Sequence, residues 1–222
     1  ECMHDTDKKD APIYNCTPDV NKDTAEACAS YRKAKERLLS EATNYITAML
    51  DDINVRPDNA DTRFSTALPL NRVRTRSVAI VGAGGLGNWQ WRALLGMGFQ
   101  DITIFDDDTV GIENVGPQAH SIFDLGVPKV QAVEEAALLY RGVLIKAINE
   151  RVYTMRDIID KMGYTPDILI TCTDSAAFRN GFIEDITDPY AGYGPDSLPD
   201  LLLDYRMSLG DYTCYAIPLR LL

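Results

Sequence analysis

Apolar and polar positions recur at two spacings along the last two thirds of the chain. Ser77 to Val81 is a short apolar run that stops at a glycine, as a buried parallel strand does. Beyond it, Asn88 to Met97 reads as helix, Ile102 to Phe105 as strand, Lys129 to Tyr140 as helix and Val143 to Ile148 as strand. Met155 to Met162 again reads as helix and Ile168 to Thr171 as strand. Such βαβαβ alternation predicts a Rossmann-like α/β fold, a mostly parallel sheet with helices on both faces. Leu201 to Asp204 and Tyr212 to Ile217 are two further strand candidates around a turn at Ser208 to Asp211, and the second of them can run antiparallel.

The first third follows a different pattern. Residues 1–22 are polar, broken by Pro12 and Pro18, and are expected to be mobile unless docked. From Asp23, with Glu26 three residues on, Tyr31, Ala34, Leu38, Ala42, Tyr45 and Met49 recur at helical intervals. They predict one amphipathic helix to about Asp52, for packing on the domain or for a dimer contact that carries Arg32 or Arg37 to a neighbour's site. A loop around Arg56 to Asp61 leads into a basic stretch, Arg63 to Arg76, that contains Pro69. The chain thus divides into residues 1–22, a helical extension and linker at 23–76, and a nucleotide-binding domain at 77–222.

Composition removes several classes of function. With 22 basic and 33 acidic residues the net charge is −11, which repels a phosphate backbone, so no nucleic-acid partner is expected. Five scattered cysteines with no CxxC pair fit neither a disulfide framework nor a four-thiolate zinc site, and point to a reducing compartment. No apolar run approaches the roughly 20 residues of a membrane helix, and Glu1 to Asp10 has no secretory pattern. A cytoplasmic protein without a membrane partner is the resulting expectation.

The candidate chemistry begins at Gly82-Ala83-Gly84-Gly85-Leu86-Gly87, which follows a predicted strand and opens a predicted helix. Gly82 allows the tight turn, Gly84 lets backbone approach a phosphate, and Gly87 lets helix and strand pack closely. The helix start adds unpaired N–H groups for anionic oxygens. The next strand ends in Asp106-Asp107-Asp108, and Asp106 stands about 20 residues on, where an acid can take ribose hydroxyls. Loop and acid together indicate an adenine nucleotide and leave NAD and ATP both open.

The segments Val78 to Gly87, Ile104 to Val110 and Glu113-Asn114 resemble the opening of the ThiF/MoeB-type adenylyltransferases. Gly126-Val127-Pro128-Lys129, Thr171-Cys172-Thr173-Asp174 and Arg179 then match later family motifs in order, so the resemblance covers roughly residues 77–217. It implies activation of the C-terminal carboxylate of a ubiquitin-like or sulfur-carrier protein, or of a peptide, with ATP. By that resemblance Gly82, Gly84, Gly85 and Gly87 line the phosphates, Asp106 holds the ribose and Asp108 supports the loop. Asn114 and Gln118 lie near the phosphates, Lys129 gives them positive charge, and Asp174 binds magnesium, with Lys129, Asp174 and Asn114 as the catalytic set. A two-fold homodimer is also implied.

Departures from the family pattern are specific. Asn114-Val115-Gly116-Pro117-Gln118 carries proline where the family has a phosphate-binding arginine. Arg63-Phe64-Ser65-Thr66-Ala67 only partly echoes a second arginine segment, with Thr66 at the place that faces ATP. Arg32, Arg37, Arg72, Arg74, Arg76, Arg92 and Arg206 are the candidate replacements, the Arg72 to Arg76 group least so because it precedes the first strand and emerges at the opposite end of the sheet. Cys172 is expected to be a small buried filler, and Cys214, in a strand, to be core. Two other readings stay open: a nucleotide-binding scaffold that has lost catalysis, and an NAD(P)-dependent oxidoreductase.

Overall fold

The computed structural model describes residues 69–207 and 211–219, with Ser30, Lys33, Ala34, residues 36–41 and Asn44. These residues between 30 and 44 are helical and the described Leu38 is exposed, while the rest of the expected helix, the segment 1–22, Arg63 and Thr66 lie outside the described residues. A short helix α1 (Leu70–Val73) precedes β1 (Ser77–Val81), α2 (Gly87–Met97) and β2 (Asp101–Phe105). Then come α3 (Lys129–Arg141), β3 (Lys146–Ile148), α4 (Met155–Met162), β4 (Ile168–Thr171), α5 (Ala176–Thr187), β5 (Leu201–Met207) and β6 (Tyr212–Pro218).

The six strands form one sheet in the order β3-β2-β1-β4-β5-β6, parallel except for β6, which runs antiparallel to β5. Strand periodicity divides the core in two. Val78 and Ile80 of β1 face one side and pack with Trp91, Leu94 and Leu95 of α2 and Val130, Val133 and Ala137 of α3. Ala79 and Val81 face the other side and pack with Met155, Ile158 and Met162 of α4 and Phe182 and Ile186 of α5. A strand covered on both faces must be apolar at every position, and β1 is buried throughout.

The chain builds outward from β1 through β2 to β3, then crosses back to place β4 on the other side of β1. This reversal makes the carboxyl ends of β1 and β4 a topological switch point, where ligands of open α/β sheets bind. Local signals fix the ends of the helices. Thr154 caps α4, accepting from Asp157 N at 3.1 Å, and Gly98, Gly142 and Gly163 end α2, α3 and α4 in the left-handed conformation.

The expected strand from Val143 to Ile148 is only three residues long, and α1 adds a short helix that was not expected. β5 runs three residues further than expected because pairing with β6 continues to Met207↔Tyr212. Cys214 corrects an expectation outright. It is exposed, because β6 is an edge strand with little cover on either face. Among the described residues no helix is long and apolar enough to cross a membrane.

Candidate functional site at the carboxyl ends of β1 and β4

The four motif glycines separate by what a side chain would meet. Gly82 has φ +100°, and an added Cβ would lie 3.1 Å from the Cys172 carbonyl oxygen. At Gly87 a Cβ would lie 1.8 Å from the Gly82 carbonyl oxygen, far inside van der Waals contact distance. The fold itself therefore requires glycine at both positions. Gly84 and Gly85 are different: the nearest atoms to an added Cβ are Gln118 Oε1 at 4.0 Å and Met207 Cε at 3.9 Å, ordinary contacts with no backbone strain. Packing does not explain the missing side chains there.

Behind the loop stands Asp106, half-buried at the end of β2. Its Oδ2 accepts from Ala83 N at 2.6 Å and its Oδ1 from Asp108 N at 2.8 Å. Burial pushes its carboxyl above the usual range, while those two N–H groups and the charge of Lys129 pull the other way. Lys129, the first residue of α3, is buried and its Nζ bonds Asp108 Oδ2 at 2.8 Å, while its backbone N–H bonds the Asp108 carbonyl at 2.9 Å. Asn114 is buried, and its Oδ1 accepts from Gly111 N at 2.8 Å. Loop, acids and lysine are thus brought together at one end of the sheet.

The carboxyl end of β4 lies alongside. An added Gly82 Cβ would be 3.4 Å from Thr173 N, one residue before Asp174. Asp174 is exposed and does not cap α5. Ser175 does, accepting from Phe178 N at 3.1 Å. Arg179 Nη1 bonds the Thr173 carbonyl and braces this turn. Cys172 is buried, as expected, and burial pushes its thiol up to about 12.

The candidate arginines are dispersed. Arg37 pairs with Glu41 on its own helix at 2.7 Å, and Arg92 stacks over Trp91 with 4.5 Å to the ring centroid. Arg76 bonds Asp167 and Asp200 at the starts of β4 and β5, the far end of the sheet from the glycine loop. Arg206 lies toward the carboxyl end of β5, on Asp204 at 2.7 Å and over Tyr215. Asp204 itself is buried, and its Oδ1 accepts from Thr171 Oγ1 at 2.8 Å.

Residues 58–184 match the model of the ThiF family. The chain belongs to the ThiF family. The molybdopterin-synthase adenylyltransferase of Salmonella typhimurium is 32% identical over 105 residues, 46% of this chain and 41% of that protein. The adenylyltransferase and sulfurtransferase UBA4 of Lodderomyces elongisporus is 31% identical over 121 residues, 53% of this chain and 26% of that protein. The chain therefore spans about a quarter to two fifths of the length of these relatives. Among solved structures, the E. coli tRNA N6-threonylcarbamoyladenosine dehydratase in complex with ATP aligns with a TM-score of 0.54 at 21% identity, covering 66% of this chain and 57% of that one. E. coli MccB with ATP aligns at 0.51 and 19% identity, over 62% and 39%. Both likenesses show the Rossmann-like fold.

Sequence reasoning missed two buried polar residues of this ThiF-family site. Asn88, in the first turn of α2, donates from Nδ2 to the Gln118 carbonyl and accepts at Oδ1 from Trp91 Nε1 at 2.6 Å. His120, 6% exposed, has its ring 3.2 Å from Asn88 Nδ2. The available signal was scarcity: the chain has two histidines, and one falls two residues after the Asn-x-x-x-Gln motif.

Proposed function

We propose that this protein adenylates the C-terminal carboxylate of a ubiquitin-like or sulfur-carrier protein, or of a peptide, using Mg-ATP. The observation that carries this is the division of the glycines. Gly82 and Gly87 are demanded by the fold, whereas Gly84 and Gly85 leave an uncovered backbone surface at a helix start beside a ribose-side acid. Family membership supports ATP over NAD, as do relatives named adenylyltransferases and aligned structures named as complexes with ATP.

In the reaction a carboxylate oxygen attacks the α-phosphorus of ATP. An acyl–phosphate bond forms, the bond to the bridging oxygen breaks, and pyrophosphate leaves with the electron pair. The amides of Gly84 to Gly87 hold the phosphate oxygens without reorganising, because Asp106 already fixes the turn through Ala83 N. Asp106 keeps lone pairs for a ribose hydroxyl, and Asn114 Nδ2, which bonds nothing among the described residues, is free to donate to a phosphate. Lys129 places its charge beside the loop from a buried seat on Asp108.

Magnesium fits one carboxylate best. Asp106, Asp107 and Asp108 cluster, yet Asp107 is taken by Arg151 at 3.0 Å and Asp108 by Lys129. Asp174 is the exposed acid at the switch point with neither a cap nor an ion pair among the described residues. Asp174 would hold magnesium there, which would supply positive charge against the phosphates. The protein works as a homodimer in the cytoplasm in this reading, with the exposed helical face around Leu38 as the contact.

Pyrophosphate exchange into ATP, measured with candidate carrier proteins and peptides, tests the proposal. Exchange that depends on a carrier supports adenylation. ATP binding with no exchange supports a scaffold, and preferential NAD binding overturns the ATP reading.

A further inference from the structure

Strand order sets the direction in which a bound nucleotide runs. Asp106 follows β2, the glycine loop follows β1, and β4 and β5 come next in the sheet, with neighbouring strands about 4.8 Å apart. A nucleotide whose ribose meets Asp106 and whose α-phosphate meets Gly84 and Gly85 therefore carries its outer phosphates toward β4 and β5. The end of β5 adjoins the loop on that side: the Cβ that Gly85 lacks would lie 3.9 Å from Cε of Met207, the last residue of the strand. Arg206 stands one residue earlier. Thr171 pairs with Asp204 in parallel register, so Arg206 comes level with Thr173, whose N–H would lie against a side chain at Gly82 and which directly precedes Asp174.

The guanidinium of Arg206 is held in one place. Its Nε and Nη2 both bond Asp204 Oδ2 at 2.7 Å, and it lies 4.8 Å from the centroid of the Tyr215 ring. The Asp204 side chain is only 4% exposed, and its other oxygen accepts from Thr171 Oγ1 at 2.8 Å, so both of its oxygens are engaged. The arginine side chain is 44% exposed and its Nη1 bonds nothing among the described residues, which leaves one arm of the fork for an anion. Beside β2, Lys129 and Arg151 already have Asp108 and Asp107, so Arg206 supplies positive charge on the opposite flank of the loop. We propose, building on the ATP reading above, that Arg206 binds the outer phosphates of the nucleotide and that Asp204 is its positioning residue. When the carboxylate oxygen attacks the α-phosphorus and the bridging bond breaks, negative charge gathers on the departing pyrophosphate. A guanidinium already fixed beside it stabilises that charge without reorganising.

The test uses the full chain and titration calorimetry with two ligands, Mg-ATP and AMP. AMP keeps the ribose and the α-phosphate and lacks the outer phosphates, so it reports on the rest of the site. Arg206→Gln, which retains N–H donors for Asp204, is expected to bind Mg-ATP about tenfold more weakly and AMP as the native protein does. Arg206→Lys keeps the charge without the fork and is expected to recover part of that loss. Asp204→Asn leaves an acceptor for Thr171 and removes the charge that seats the arginine, so it is expected to weaken Mg-ATP and spare AMP. A merely structural role for Asp204 would lower both affinities together. Equal Mg-ATP affinity in the native protein and Arg206→Gln overturns this inference alone, as does a loss that is the same for AMP. A native protein that binds no Mg-ATP, or that prefers NAD, overturns the ATP reading with it.

Discussion

The two ends of the sheet are both polar, but they are organised differently. At the starts of β1, β4 and β5, Arg76 reaches Asp167 and Asp200, Asp167 Oδ2 accepts from Ser77 N at 2.8 Å and from Ser77 Oγ at 3.0 Å, and Asp167 N returns a bond to Ser77 Oγ at 3.0 Å. These groups bond one another across three strands. At the carboxyl ends, Asp106 accepts from Ala83 N behind the glycine loop and from Asp108 N, Asp174 bonds nothing among the described residues, and Gly84 and Gly85 leave room for a Cβ that the chain does not carry. Polar residues that satisfy one another hold a fold together. Polar residues fixed on one side and open on the other are set for a ligand.

The comparison is broken most severely at Gly87. Replacement by alanine places a Cβ 1.8 Å from a backbone oxygen that cannot move without displacing β1, so Gly87→Ala is expected to lose about 3 kcal/mol or more and to yield little soluble protein. Thermal melting of whatever folds checks this. Asp106→Ala comes next. It frees Ala83 N–H and should lower Mg-ATP affinity by about a hundredfold, since a charge-assisted bond and the ribose contact go together. Titration calorimetry reads the loss.

Arg76→Ala sharpens the contrast from the other end of the sheet. Its side chain is 42% exposed, so screening holds the cost to about 1 kcal/mol, a Tm drop of about 2–4 °C, with Mg-ATP affinity unchanged. The pH dependence has a definite sign. Burial raises the Asp167 carboxyl, but the bonds from Ser77 and Arg76 together hold it below the usual carboxylate range. Its contribution is therefore present above pH 4 and lost as pH falls through the lower folded value, and Arg76→Ala flattens that acid limb. His120 is also held below its ordinary value, so the unfolded chain takes the proton first, and stability falls as pH drops below about 6.5. His120→Gln removes that second limb. The smallest effect is at the thiols: iodoacetamide should label Cys214 and spare Cys172, as peptide mass spectrometry will show.

Much of this was legible in the sequence where a local rule and a burial rule agreed. β1 reads as strand because it is apolar throughout and stops at glycine, and α4 reads as helix because Thr154 and Asp157 cap a periodic run. Motif order located the glycine loop and the acid behind it. Tertiary events were not legible. Cys214 looks like a core residue in a strand, but only the sheet order shows that the strand is an edge. β5 extends to Met207 because its partner does, which no residue of β5 announces. α5 carries Asn180 and Gly181 in its middle, which hides its helical period, and its cap is Ser175 rather than the neighbouring Asp174. His120 meets Asn88 across 32 positions of sequence, and no short-range pattern encodes that contact.

The central claim is that the open glycines cradle phosphate, and titration of Mg-ATP into native protein and Gly84→Ala tests it most directly. The account predicts an unchanged Tm for the variant, because the Cβ meets nothing closer than 4.0 Å, together with a loss of affinity of about tenfold or more and no gain for NAD. Equal Mg-ATP affinity in the two proteins, or a native protein that prefers NAD, would contradict it.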